Sequence, residues 1–324
     1  MMKTLKDFDV KNKRVLVRCD FNIPLDEKEN ITDDFRIKQT IPTIEYLLEN
    51  KAKVILMSHL AYNRHLDMIW KRVKEYLKTK AEEIVFLDNL RLDEREKENS
   101  DEFAKELAKL GDIYINDAFG VCHRKHTSVV GIPKYLPSGA GFLLEKEIKV
   151  LSNILENSEH PLVAIIGGVK IESKAKVIEQ FLEKADYVLI GGRIAEQTKN
   201  KSNKLYIPVD SKNGFDIGQK TIKIFSEIIK KARTILWAGP LGKFEDPAYE
   251  QGTKQIAEEI SKNDKAFKIA GGGDTIFALT KFGLRDKFDH ISTGGGAMLQ
   301  FLSGEELPGL KALGYYNADL QMKC

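Results

Sequence analysis

Short apolar runs alternate along this chain with longer stretches in which apolar residues return every three or four positions. The runs occupy 15–17, 54–57, 84–87 and 113–115, and then 162–166, 187–190, 234–237 and 267–270. They read as strands, whereas 41–48, 100–110 and 174–184 have the spacing of amphipathic helices. A longer helix is predicted over 143–156, ended by the polar, proline-containing stretch 157–161. Alternation of this kind builds parallel sheets flanked by helices. The stop at 157–161 marks a domain boundary with four core strands on each side, so the pattern predicts an α/β protein of two units.

A length of 324 residues, beyond the size at which one core usually keeps growing, agrees with two units, and an apolar fraction of 42% suffices for both. Lys and Arg number 51 against 48 Asp and Glu, so the charges nearly cancel although they make up 31% of the residues. That balance supplies neither a nucleic-acid footprint nor a polybasic membrane patch. The first residues lack the apolar core of a signal peptide, and no apolar run approaches the ~20 residues needed to span a bilayer. A soluble, cytoplasmic protein is expected. The three cysteines, Cys19, Cys122 and Cys324, have no metal-ligand spacing, which argues against a disulfide framework and a zinc site. Cys122 lies in a basic motif and reads as a small, semi-buried thiol rather than a nucleophile.

Two glycine-rich loops follow apolar runs near the C-terminus: Gly271-Gly272-Gly273-Asp274-Thr275 and Ser292-Thr293-Gly294-Gly295-Gly296-Ala297. A strand that ends in such a turn and opens a helix lets backbone N–H groups approach an anion, and the helix adds the positive end of its dipole. Packing at strand-to-helix turns also calls for glycine. Asp274, directly after its glycines, offers a carboxylate for Mg²⁺, and two such loops close together suggest a polyphosphate. Gly167-Gly168-Val169-Lys170-Ile171-Glu172-Ser173-Lys174 follows another strand, and its two lysines, four apart, would share one side of a helix start facing phosphate charge. Neither a Walker-A loop nor a G-x-G-x-x-G fingerprint is present. The turn from Trp237 to Glu245 ends in a carboxylate suited either to ribose hydroxyls or to a helix cap.

Ligands of open α/β sheets bind beyond the carboxyl ends of strands, and in the first half those ends are cationic. Arg18-Cys19-Asp20-Phe21-Asn22 follows the first run; Arg36, Ser58-His59, Asn89-Leu90-Arg91 and His123-Arg124-Lys125-His126 lie after the others. Arg36, His59, Arg91, Arg124 and His126 would converge on one small anion, with Asp20 and Asn22 holding a hydroxyl. A cationic half facing a glycine-rich half implies two substrates joined by phosphoryl transfer, which is mainly positioning and charge stabilisation.

The ordered series of these motifs, from about residue 10 to residue 313, resembles the phosphoglycerate kinase family. It also includes Phe215-Asp216-Ile217-Gly218. The resemblance implies two Rossmann-like three-layer (αβα) domains with mainly parallel sheets, separated by a cleft. Residues 1–156 would bind phosphoglycerate, 157–306 would bind nucleotide, and 307–324 would return to the N-terminal domain. The implied activity is reversible, Mg²⁺-dependent transfer of a phosphoryl group between 1,3-bisphosphoglycerate with ADP and 3-phosphoglycerate with ATP, by a monomer acting on small molecules. Asp20, Asn22, Arg36, His59, Arg91 and Arg124 would bind the phosphoglycerate. Gly168, Lys170, Lys174, Gly191, Gly192, Glu245, Gly272, Gly273, Asp274 and Thr275 would hold the nucleotide, with Asp274 on the metal. Arg36, Lys170, Gly273 and Gly296 would act on the moving phosphoryl.

The chain departs from the family pattern in places. Ser58-His59-Leu60 continues as Ala61-Tyr62-Asn63-Arg64 instead of Gly-Arg-Pro, and Asn89 arrives early, so a strand-and-helix unit is shortened or missing. A usual Gly-Gly-Gly-Met-Ala reads Gly191-Gly192-Arg193-Ile194-Ala195, the segment from Ala195 to Phe215 is abbreviated, and Ala238 replaces an Asn. These changes raise two alternatives: a non-catalytic descendant that binds an anion or nucleotide and acts through a partner, and a kinase with an altered substrate.

Overall fold

The computed structural model describes residues 2–61, 64–169, 171–172, 174–198 and 202–316. Contacts divide the chain into two compact units: residues up to Ile148 together with the segment from Glu306, and Lys149–Glu305.

In the first unit the order is β1 (Arg14–Cys19), α1 (Phe35–Glu49), β2 (Lys53–Met57), α2 (Asp67–Leu77), β3 (Val85–Phe86), α3 (Asp101–Ala108), β4 (Ile113–Asp117) and β5 (Ser138–Ala140). The strands form one parallel sheet in the order β3-β2-β1-β4-β5. Every residue of β1 after Arg14 is buried, as expected of a central strand covered on both faces. Val15, Val17, Val54 and Leu56 pack with Ile37, Ile44 and Leu47 of α1 and Ile69 and Val73 of α2. The helix α4 (Phe142–Glu156) starts in this unit. Its first turn is fastened to the end of β4, where Asp117 Oδ1 accepts from the backbone N–H groups of Leu143 (2.9 Å) and Leu144 (3.3 Å). Gly141 precedes it because a side chain there would overlap the Asp117 carboxylate.

The second unit runs β6 (Leu162–Ile166), α5 (Ala175–Lys184), β7 (Tyr187–Ile190), α6 (Ile194–Gln197), β8 (Leu205–Tyr206), β9 (Ser211–Lys212), β10 (Asp216–Ile217), α7 (Gln219–Ile229), β11 (Thr234–Ala238), α8 (Gln251–Lys262), β12 (Phe267–Gly271), α9 (Gly273–Lys281), β13 (His290–Ser292) and α10 (Gly295–Leu302). Its parallel sheet has the order β13-β12-β11-β6-β7-β8, and β9 and β10 form a separate antiparallel hairpin. The final helix, α11 (Pro308–Ala312), belongs to the first unit.

The eight predicted runs are all strands, but the sheets hold five and six strands rather than four each. The additions, β5, β8 and β13, are edge strands of two or three residues, too short to form an apolar run. The run 84–87 contracts to the two residues of β3, another edge strand.

Candidate functional site

In the first unit, β1 delivers Arg18 into a fully buried position. Its Nε donates to Ser128 Oγ (2.7 Å), one terminal nitrogen donates to the Cys19 carbonyl, and the other approaches His59 Nδ1 (3.1 Å). A guanidinium can only donate, so His59 Nδ1 accepts and its proton resides on Nε2. Burial pushes the His59 pKa well below its usual value, and Arg18, Arg91, Arg124 and His126 push it further. His59 is therefore a neutral donor within a cationic cluster. Beneath it Glu96, also fully buried, accepts from Ser128 N (2.9 Å) and Ser128 Oγ (2.5 Å) and lies 3.9 Å from Arg18 and from His126. This counter-ion was invisible in the sequence, where it sits in a charge-rich stretch that reads as solvated surface.

Arg36, on the first turn of α1, donates to the Asn22 carbonyl (2.5 Å) and lies 3.4 Å from Asp20 Oδ2. Asp20 Oδ1 is 4.0 Å from His59 Nδ1, and Asn22 Oδ1 accepts from Ala61 N (2.8 Å). Asp20, Arg36 and His59 are thus brought together as expected. Arg91 joins them with a distinctive feature: its Nε and Nη2 are buried and have no hydrogen-bond partner among the described residues. Arg124 is exposed and donates to His123 Nε2 (3.2 Å), while His126 is lowered to about 4 by burial and then by Arg124, Arg91 and Arg18. Buried donors are nearly always paired, so the orphaned pair on Arg91 marks a position where an external acceptor belongs.

In the second unit, a cavity of 760 Å³ is lined by Gly168, Gly192, Glu245 and Asp274 among the expected nucleotide residues. Asp274 is exposed on the first turn of α9, where a carboxylate meets the positive end of the helix. Gly272, at φ 101°, makes the turn that carries it, and a methyl at Gly273 would meet nothing within 4 Å. Gly296 is the second residue of α10. The Lys174 ammonium donates to the Gly167 carbonyl; burial lowers its pKa to about 8, with Asp274 opposing the shift. The helix α5 begins at Ala175, so Lys174 is its N-cap, and the expected helical face shared with Lys170 is not formed by α5; Lys170 itself lies outside the described residues. Gly191 and Gly192 serve loop packing: a side chain on Gly191 would overlap Leu241, and a Cβ on Gly192 would sit 2.6 Å from the Gly168 carbonyl oxygen. Thr275 is buried, and its hydroxyl accepts from Gly239 N (2.7 Å), tying α9 to the end of β11.

Ile207 and Val209 carried no signal in the sequence, and Phe215 and Asp216 stood there only as members of a motif. Ile207, Val209 and Phe215 line the cavity although they are 48%, 62% and 51% exposed, an apolar wall suited to a flat base. Asp216 lines it too, accepting from Gly252 N (2.7 Å) and Ile217 N (2.9 Å), with burial raising its pKa to about 6.

Comparison with known proteins places these sites in context. A family model described as phosphoglycerate kinase matches residues 5–80, 62–207 and 195–305. A phosphoglycerate kinase of Finegoldia magna is 41% identical over 391 aligned positions, covering 96% of this chain and 98% of the relative. One of Dictyoglomus turgidum is 39% identical, covering 95% and 97%. The solved structure of phosphoglycerate kinase from Coxiella burnetii superposes with a TM-score of 0.84 at 32% identity, covering 97% of this chain and 99% of that one. That from Pyrococcus horikoshii OT3 gives 0.83 at 31%, covering 97% and 98%. Since 96% of 324 residues is about 311, roughly 80 of the 391 positions aligned with the first relative have no counterpart here. The family-model pieces overlap at 62–80 and 195–207, within the two segments that read as abbreviated.

Proposed function

The chain belongs to the phosphoglycerate kinase family, and from that premise we propose which of its residues carry each part of the reaction. It is a phosphotransferase (EC 2.7.2.3) that moves a phosphoryl group reversibly between 1,3-bisphosphoglycerate and ADP, in a family whose reaction runs with Mg²⁺. The acceptor in the direction of ATP use is a carboxylate, already ionised at neutral pH, so no general base is required. The demands on the protein are positioning, charge neutralisation and exclusion of water.

The observation that carries the assignment at the acceptor end is the Arg91 guanidinium with two buried, unpaired donors. A phosphate or carboxylate of the phosphoglycerate would take both, in the fork geometry that makes guanidinium selective for such groups. Arg124 and the neutral His59 would complete the anion's shell, with Asp20 and Asn22 on its hydroxyl. Keeping His59 neutral lets it donate without adding another charge to a cluster already held by Glu96. Arg36 is 29% exposed and anchored through one nitrogen, which leaves donors to stabilise the phosphoryl as it moves.

At the nucleotide end, Ile207, Val209 and Phe215 would face the base, Glu245 the ribose, and Lys174 with the backbone of Gly272, Gly273 and Gly296 the phosphates. Lys170 would join them on the strength of its place in the motif. Asp274 suits Mg²⁺: it is an exposed carboxylate on the cavity wall with no hydrogen-bond partner among the described residues, and one carboxylate plus phosphate and water oxygens is a usual coordination for this ion. Bound there, the ion would neutralise charge on the phosphates.

ATP-dependent phosphorylation of 3-phosphoglycerate with Mg²⁺, measured beside an Asp274→Ala control, tests the reading. Turnover lost in the control is expected; no turnover by either folded protein would overturn it. The same reading makes the chain a cytoplasmic monomer without membrane or nucleic-acid partners. No helix among the described residues is long and apolar enough to cross a membrane, and sedimentation is expected to return the mass of one chain, 36.7 kDa.

A further inference from the structure

A single hydroxyl stands between the buried charges of Arg18 and Glu96. Arg18 Nη2 lies 3.9 Å from Glu96 Oε1, about 1 Å longer than a direct charge-assisted hydrogen bond. Ser128, itself fully buried on the helical turn Thr127–Gly131, bridges the two: its Oγ accepts from Arg18 Nε (2.7 Å) and donates to Glu96 Oε1 (2.5 Å). Its backbone N–H donates to Glu96 Oε2 (2.9 Å). The turn is pinned on both sides, since Tyr114 donates its hydroxyl to the Ser128 carbonyl (2.7 Å) and Thr127 Oγ1 donates to the Arg95 carbonyl (2.7 Å). The direction of the bridge is forced, because a guanidinium only donates and a carboxylate accepts, so the one hydroxyl proton goes to Glu96.

This spacing has a consequence at His59. Opposite charges buried this close attract strongly, and without the hydroxyl between them the Arg18 guanidinium would close on Glu96. Nη2 would then leave His59 Nδ1, its present partner at 3.1 Å. A second acceptor faces that ring nitrogen: Asp20 Oδ1, at 4.0 Å. Released from Arg18, Nδ1 can take the ring proton and turn it to Asp20, which leaves Nε2 with a lone pair. The partner of Nδ1 thus decides which nitrogen of the ring is a donor.

We propose that Ser128 is a positioning residue for phosphoglycerate binding: its hydroxyl holds Arg18 off Glu96 and on His59 Nδ1, and so keeps the His59 proton on Nε2, where it can be given to an anion. The proposal rests on the phosphoglycerate reading of this cluster. Ser128 acts only through Arg18 and His59, so the tautomer of His59 and the affinity for the anion must change together.

Nitrogen-15 spectra of the full chain labelled at histidine report which ring nitrogen carries the proton, with His59→Asn assigning the signal, and calorimetric titration with 3-phosphoglycerate gives the affinity of the same samples. Wild type should hold the His59 proton on Nε2. Ser128→Ala keeps the backbone bond to Glu96 and should move the proton in part to Nδ1; Ser128→Thr keeps the hydroxyl and should restore it. Only the fraction with the proton on Nε2 is competent, so a fall of that fraction to about a tenth should weaken 3-phosphoglycerate about tenfold, while ADP affinity holds. If Ser128→Ala does not fold, Ser128→Cys, whose thiol is a weak donor and acceptor, carries the same expectation. A wild-type proton on Nδ1, or a wild-type tautomer in the hydroxyl-free variant, would overturn this proposal alone. A shifted tautomer with unchanged 3-phosphoglycerate affinity would overturn the role in binding. Wild type that fails to bind 3-phosphoglycerate would overturn the phosphoglycerate reading together with it.

Discussion

Arg91 has two buried donors without acceptors, and an unsatisfied buried polar group costs about 1–3 kcal/mol. Replacing it with alanine should therefore raise the melting temperature of the free protein while lowering kcat/KM for 3-phosphoglycerate at least tenfold. A variant that loses both stability and activity would show that the guanidinium is structural. Asp117 supplies a second residue-level test. Burial raises its pKa from 3.8 to about 7, so the folded state favours the protonated carboxyl. The stability it confers is fully present below about pH 4 and is lost as pH rises through about 7. Urea unfolding of wild type and Asp117→Asn should show the wild-type advantage shrinking between those limits; a constant gap would place the titration elsewhere.

At the scale of the element, the helices α9 and α10 open with triple-glycine strings that look alike in the sequence. Their environments differ. A methyl at Gly273 meets open space, whereas one at Gly295 would sit 2.6 Å from Gly272 Cα, a backbone atom that cannot swing aside. Gly273→Ala should leave the melting temperature unchanged or higher, since alanine favours helix by up to about 1 kcal/mol, yet slow turnover by placing a methyl where phosphate would approach. Gly295→Ala should lower stability by about 1–3 kcal/mol through overpacking. Thermal melts and steady-state kinetics on the pair decide whether the two loops divide the work in this way.

At the scale of the molecule, α11 ties residues late in the chain to the first unit. Gly309 N donates to the Cys122 carbonyl (2.8 Å), and Leu307 and Leu310 are fully buried. Leu310→Ala should cost about 2–5 kcal/mol by leaving a cavity. Hydrogen exchange should then accelerate in β1 and β4 while β6 and β11 remain protected and ADP affinity holds. Equal acceleration in both sheets would mean that the two units unfold together.

The sequence by itself determined the alternation of strands and helices, the eight main strands, the long helix read over 143–156 and the order of motifs that places the chain in its family. These features are local: a strand buried on both faces is a short apolar run, a covered helix repeats at 3.6 residues, and a phosphate turn requires glycine where it stands. What only the tertiary structure decided depends on residues far apart. The pairing of Arg18 with Ser128 and Glu96 spans more than seventy positions, and no spacing rule connects them. The apolar wall of Ile207, Val209 and Phe215 is exposed rather than buried, so hydrophobicity alone could not assign it. Edge strands of two or three residues bury too little to leave a pattern, and identical glycines acquire different roles only when a neighbouring loop does or does not press against them.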